Sequence, residues 1–257
     1  MVRGLYTAWT GMANEQKRLD IISNNLANAA TIGYKKDNVT NQSFDNLLTI
    51  KIKDASEQYN DRPIGTMSLG VKLGEVYTDY GQGSLRKTSN PFDLAIEGKG
   101  FFKVSTKDEN GNEIMKYTRD GSFTMNQDGK IVDADGNSLM GEGGEITIPV
   151  DAANIAVDTD GSIYADEVYI DKVQTTDFAD YNYLKKQGDS MYLALDGAGE
   201  ETGTAAIRQG YTEQSNVNVI SEMVDMISVT RAYEANQKVI QTVDGTLDLA
   251  ANSVGKI

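Results

Sequence analysis

Two stretches of the chain keep a helical beat, and they lie at opposite ends. From Leu5 the seam runs Leu5, Ala8, Met12, Glu15, Leu19, Ile22, Leu26 and Ala29, stepping by three and four with Glu15 as the polar interruption. That spacing is a heptad seam, and Trp9 and Ala13 widen it. Gly33 is placed to close this helix as its C-cap. At 1.5 Å per residue, positions 5–32 would span roughly 40 Å. At the far end Val219, Met223, Met226, Val229, Tyr233, Asn236, Ile240, Val243, Leu247, Ala250 and Val254 repeat the pattern, longer than an ordinary globular helix requires. Ser215 or Asn216 is placed as the N-cap of this second helix, with Glu222 in an early turn. Gly245 weakens its second half.

Between the two seams the period changes from helical to alternating. Val, Ile, Tyr, Phe and Thr alternate with polar residues and are punctuated by Gly and Asp, as in "YTRDGSFTMNQDGKIVDADGNSLMG". Asp120-Gly121, Asp128-Gly129 and Asp135-Gly136 supply hairpin turns that need positive φ. "AIEGKGFFKV", "EITIPV", "NIAVDTDGSIYA" and "VYIDKVQTTDF" read as further strands. The segment after the first helix is polar and mixed, and reads as an extended linker with a short helix over 44–50. The organisation predicted is therefore an N-terminal helix over 1–33, a linker over 34–64, a β-rich domain over 65–213 and a C-terminal helix over 214–257. The fold class is α+β: long N- and C-terminal helices forming a coiled-coil-like pair, with a central, mostly antiparallel β domain.

The polar half of the helices is unusual in kind. Asn24, Asn25, Asn28, Asn236 and Gln237 give surface that is neither apolar nor charged. Amides bond across an interface without the desolvation cost of a charge, so they suit a helix packed on several sides. Two arrangements fit the pattern: helices built for a crowded assembly of many copies, or an ordinary two-helix cap on a β domain. Arg3, Lys17 and Arg18 nearly balance Glu15 and Asp20 in the first helix, and the second is only mildly acidic. The middle carries almost all of the net charge of −14, as a water-facing domain between buried ends would.

That acidity argues against nucleic acid, whose phosphates repel it. The chain has neither His nor Cys. This excludes Ser-His-Asp and cysteine nucleophiles and zinc sites built on imidazole or thiolate, and makes the chain indifferent to redox compartment. The first residues lack the apolar core and small-residue cleavage site of a signal peptide, and no run of about 18 apolar residues suggests a membrane span. The Asp-rich turns "DENGN", "NQDGK", "DADGN" and "DTDGS" lack the ligand spacing and the closing Glu of a calcium loop, and read as turns. Gly98 and Gly100 resemble half a phosphate loop, but strand-like sequence follows where a helix N-terminus is needed. Phe101 and Phe102 are expected to pack the β domain, one on each face. No cofactor, metal or small-molecule substrate is implied. Paired carboxylates for glycoside hydrolysis and a secreted β-rich binding module are the rival readings from other classes.

Four blocks, in order, carry a family resemblance. "SNNLANAATIGYKK" supplies Asn24, Asn25, Leu26, Ala27 and Asn28, then Thr31, Gly33, Tyr34 and Lys35. "GQGSLRKTSNPFDLAIEGKGFFKV" supplies Asp93, Ala95, Ile96, Gly98, Gly100, Phe101 and Phe102, and "YTRDGSF" follows. "QGYTEQSNVNVISEMVDMISVTRAYEANQKVI" closes the set. Together they resemble the axial proteins of the bacterial flagellar rod and hook; a chain of this size is most similar to those of the distal rod, with a proximal-rod or hook-type axial protein as the alternative within the family. Residues 140–205 match no block. The resemblance implies a structural subunit of the flagellar basal body, outside the cytoplasm, exported unfolded through the flagellar type III apparatus without a cleaved signal. It implies helical polymerisation with copies of itself and contact with neighbouring rod and hook proteins. The inner interface would then be formed by Leu5, Met12, Leu19, Ile22, Asn24, Asn25, Leu26, Asn28, Val219, Met223, Met226, Tyr233, Asn236, Ile240 and Leu247.

Overall fold

The computed structural model describes residues 2–50, 63–107, 113–152 and 154–254. It is α+β, with a helix at each end and an antiparallel β domain between. The chain divides into two compact units, one of Met1–Leu26, Asp37–Tyr77 and Val219–Ile257, the other of Ala27–Lys36 and Thr78–Asn218.

In the first unit, helices α1 (Val2–Ala27) and α2 (Val219–Leu249) run antiparallel. Two contacts fix the sense. A Cβ on Gly11 would come within 2.9 Å of Asn236 Nδ2, and Asn25 Nδ2 donates to Glu222 Oε2 at 3.4 Å. Moving from Gly11 to Asn25 goes up α1 by the same number of residues as moving from Asn236 to Glu222 goes down α2. On α2 the shielded positions Glu222, Met226, Val229, Tyr233, Asn236, Ile240 and Val243 keep the three-four spacing of a single stripe, which Thr230 and Ala232 widen. Ala8, Asn14, Ile22 and Asn25 are buried on α1. The strand Asp37–Ser43 pairs with Val71–Thr78, and Leu47–Ile50 pairs antiparallel with Pro63–Met67.

Several sequence expectations are corrected in this region. The short helix expected over 44–50 is absent: Leu47–Ile50 is a strand, because its cross-strand partner decides what its weak local preference does not. Residues 51–62 of the expected linker lie outside the described residues. Helix α1 ends at Ala27, short of Gly33, so Gly33 is not its C-cap. The Thr31 N–H donates to Asn28 O at 3.2 Å, and its Oγ1 donates to Asn28 Oδ1 at 3.0 Å. These local bonds offer the backbone an alternative to helix. Helix α2 begins at Val219, so neither Ser215 nor Asn216 is its N-cap. Ser215 Oγ instead accepts from the Val217 amide, while Asn216 Oδ1 accepts from the Lys36 amide.

The second unit is built on a sheet whose strand order is Leu184–Gln187, Met191–Ala194, Glu113–Thr118, Phe101–Lys107, Ser138–Gly141, Ile131–Val132 and Thr124–Met125, all antiparallel. Thr175–Phe178 also pairs with Phe101–Lys107. A three-stranded meander, Ile155–Val157, Ser162–Ala165 and Val168–Lys172, adds a separate layer. Successive side chains of Phe101–Lys107 point to opposite faces. Phe102 and Val104 join Leu94, Phe123, Leu139 and Ile163 in one core, while Phe101 joins Tyr117, Phe178 and Tyr192 in the other.

The turns follow the Asp-Gly signals at two of three places. Gly129 and Gly136 have φ of 79° and 85° between paired strands. Asp120-Gly121 is not a hairpin turn. Gly121 is required there because its backbone lies against Leu94 O, leaving no room for a Cβ. The turn carboxylates are occupied by their own backbone: Asp120 accepts from the Ser122 amide, Asp133 from Asp135 and Asp160 from Ser162. The turn "DENGN" lies outside the described residues.

Candidate functional site

The motif Thr31–Lys35 follows α1 and enters the second unit. Gly33 has φ 68°, its N–H donates to Glu213 O at 2.8 Å, and a Cβ would strike the Arg119 and Asp120 backbone. Only glycine meets both demands. The next two residues are wholly buried. Tyr34 lies beneath Lys186, whose Nζ is 4.0 Å from the ring centroid and donates to Lys35 O at 3.2 Å.

Lys35 is the first member of a buried ionic node. Its Nζ donates to Glu213 Oε1 at 2.5 Å and to Gly81 O at 2.8 Å. Arg119 Nη1 donates to Glu213 Oε2 at 3.0 Å, and Nη2 donates to Gly98 O at 2.7 Å. Glu213 Oε1 also accepts from the Gly83 amide at 2.8 Å. The guanidinium lies 5.4 Å from the Phe101 ring centroid. Burial pushes the Lys35 ammonium below its usual value, against the opposing pull of Glu213. Lys35 and Glu213 are each 1% or less exposed, so no substrate reaches either. The arrangement fixes a junction of loops; it is not a reaction centre. Breaking such a pair leaves uncompensated charge in a dry interior.

The node gathers Gly33, Tyr34, Lys35, Gly98 and Phe101 of the sequence motifs. Thr31 sits in the turn before it. Asp93 serves separately, accepting from Asn90 Nδ2 at 2.8 Å. Gly100, with φ 119°, sets the entry to the strand that carries Phe102. Sequence reasoning missed Arg119 and Glu213 as site residues, although both stand inside its quoted blocks. Their signal was a charge set among residues otherwise destined for burial, as in "YTRDG" and "YTEQ".

The helix residues singled out by the seam fall into two groups. Ile22 and Asn25 are buried, and Leu5, Met12, Leu19, Leu26, Asn28, Met226, Tyr233, Asn236 and Ile240 are partly shielded. Asn24, Val219, Met223 and Leu247 are exposed. Beside these last, Ile220, Val224 and Ile227 of α2 and Tyr6 and Trp9 of α1 are also exposed, each by half or more of its surface. The exposed residues 220, 223, 224 and 227 share one helix face.

Three family models match in chain order. "Flagella basal body rod protein" matches residues 5–35, "Flagellar hook protein FlgE/F/G D1 domain" matches 95–165, and "Flagellar basal body rod FlgEFG protein C-terminal" matches 208–253. The flagellar basal-body rod protein FlgG of Buchnera aphidicola subsp. Schizaphis graminum is 34% identical over 96% of this chain and 98% of its own. FlgG of Caulobacter vibrioides is 35% identical over 96% and 97%, and FlgG of the Buchnera of Acyrthosiphon pisum is 36% identical over 96% and 98%.

The chain belongs to the flagellar basal-body rod protein family. Its relatives are named as rod proteins and not as enzymes. Each matched region of this rod-family chain gives one member of the node: Lys35 from the first, Arg119 from the second and Glu213 from the third. The ionic node therefore joins one residue from each of the three matched regions.

Proposed function

We propose that this chain is a structural subunit of the bacterial flagellar rod, in its distal part, working as one element of a torque-transmitting shaft. The observation that carries the reading is the exposed apolar face of α2, Met223, Val224 and Ile227 with Ile220 beside them, together with Tyr6 and Trp9 of α1. Such a surface is costly to leave in water, since covering each large side chain contributes roughly 1.5–3 kcal/mol. Copies of the chain cover it by packing α1 and α2 as a coiled-coil-like inner tube, through a heterologous contact that does not close on itself. Residues 1–33 and 214–257 then form the axial layer and 65–213 the outer domain. Neighbouring rod and hook proteins continue the same packing at the ends of the segment.

The subunit works outside the cytoplasm, which it reaches unfolded through the flagellar export apparatus. A chain without Cys has no disulfide to form or break on that route. Leu26→Asp tests the reading: the variant should fail to polymerise and to support swimming while its β domain keeps its fold. Normal swimming would count against it.

A further inference from the structure

Tyr80 and Tyr181 form a stacked pair on the wall of an open cleft of about 370 Å³. Their ring centroids are 5.0 Å apart and their planes 23° from parallel. Stacked at this distance, the rings overlap at their edges. Both residues are partly exposed, and small solutes reach them through the cleft. Local bonds hold both in place. The Asp79 amide donates to Lys36 O at 2.8 Å and the Gly81 amide to Asp79 Oδ1 at 2.9 Å, which fixes the chain on either side of Tyr80. Tyr181 opens the short 3-10 turn Tyr181–Tyr183, which Asp180 caps by accepting from the Asn182 amide at 2.9 Å.

The Tyr181 hydroxyl donates to Asp177 Oδ1 at 2.6 Å. Burial, then Asp177, pushes this phenol up to about 12 against the opposing pull of Arg119. It therefore stays protonated at neutral pH, and an electron leaves it readily only if the proton leaves too. Asp177 stands where that proton goes. Among the described residues two other tyrosine pairs come into ring contact. Tyr80 and Tyr192 are tilted by 57° at 5.5 Å, and Tyr192 is fully buried. Tyr164 and Tyr169 meet edge-on at 5.9 Å. Tyr117 also donates to a carboxylate, Glu200, at 2.6 Å, but it packs edge-on against Phe178, which has no hydroxyl. Of the three tyrosine pairs, Tyr80 and Tyr181 combine near-parallel rings, access from solvent and a base on one hydroxyl.

We infer that Tyr80 and Tyr181 are a modification site, at which an oxidant of the peroxide class joins the two rings as dityrosine. Each phenol loses one electron to the oxidant. The Tyr181 proton passes to Asp177, and the Tyr80 proton to solvent at the cleft. The two phenoxyl radicals couple through a carbon ortho to each oxygen. The hydrogen on each of those carbons is then lost as a proton while its oxygen regains one. The pair thus loses two hydrogens in all, and the two electrons cleave the O–O bond of one peroxide. A link between positions 80 and 181 closes a long loop and constrains the unfolded chain as a disulfide does, in a chain that has no Cys. One copy of the chain carries the whole site, so the inference does not depend on the rod reading.

The test oxidises the full chain at low concentration with persulfate and photoexcited ruthenium tris-bipyridine, and maps the products by mass spectrometry of proteolytic peptides. A linked pair of peptides carrying Tyr80 and Tyr181, lighter than their sum by two hydrogens, is expected in chains that still run as monomers. Tyr80→Phe and Tyr181→Phe keep both rings in the stack, and each should abolish that link. Asp177→Asn keeps an acceptor for the hydroxyl but is no longer a base. It should slow the link at least about tenfold and alter its solvent deuterium isotope effect, a readout that a structural role alone would not move. The oxidised chain should melt at a higher temperature than Tyr181→Phe oxidised in the same way. Dityrosine that forms at Tyr164 and Tyr169 or between copies instead, or no link between Tyr80 and Tyr181, overturns the site. An unchanged rate in Asp177→Asn overturns Asp177 as the proton acceptor, and equal melting overturns the link as a staple.

Discussion

Lys35 and Glu213 lie 178 residues apart in the chain, and their side chains meet at 2.5 Å in a site that water does not reach. The pair ties the turn after the first helix to the strand that leads into the second, and Arg119 joins it from the β domain. Removing the shared carboxylate strands both cations. Glu213→Ala should therefore cost about 3–5 kcal/mol in urea unfolding. Lys35→Met, which removes the surplus cation and leaves Arg119 matched to Glu213, should cost less. Equal losses would show that the two cations do not depend on one acceptor.

Two glycine substitutions should move stability in opposite directions. Gly33→Ala forces a side chain into left-handed backbone and against Arg119 and Asp120, and should cost more than about 1 kcal/mol. Gly245→Ala lies within α2 with open space around its Cβ, and should gain about 0.5–1 kcal/mol from helix propensity. Thermal unfolding of the two variants checks both signs.

Asp120 gives the β domain a pH dependence. Burial raises its carboxyl to about 6, with Asp133, Asp135 and Asp93 adding to the rise against the Ser122 hydrogen bond. An acid whose folded value is raised favours the fold most when protonated. Its contribution is full below the ordinary value of about 3.9 and is lost as pH climbs through about 6. Asp120→Asn keeps an acceptor for the Ser122 amide and removes the charge. The variant should be more stable than the parent at pH 7, with the advantage gone near pH 4. An advantage that is the same at both pH values would contradict this origin.

The exposed stripe of α2 separates folding from assembly. Ile227 is 53% exposed, so Ile227→Asp should change the stability of the monomer by no more than about 0.5 kcal/mol. The same change should abolish association between copies in sedimentation. A variant that associates like the parent would move the interface elsewhere.

The two end helices are legible in the sequence because an apolar seam repeats at helical spacing over many turns. On α2 the seam positions from Met226 to Val243 are all shielded, with Thr230 and Ala232 shielded beside them. Its first members do not: Val219 and Met223 are exposed while Glu222 is buried. Spacing gives a stripe but does not say which turn of it meets a partner. The alternation of Phe101 and Phe102 between two cores is also legible, since the strand period is two and both neighbours are large and apolar. Gly33 shows where local reasoning stops. Its position after a helix suits a cap, yet its role is set by Arg119 and Asp120, far off in sequence. The ionic node is hidden for the same reason, because no periodicity links Lys35, Arg119 and Glu213. Short strands such as Leu47–Ile50 are decided by their pairing partner, which the local pattern does not name.

Electron microscopy of purified basal bodies, with a gold-binding tag placed in the exposed turn at Gly188, tests the central claim most directly. A shaft subunit predicts label along the axis of the rod, at a regular rise and on its outer surface. Label confined to the rings, or absent from basal bodies of cells that swim, would contradict it.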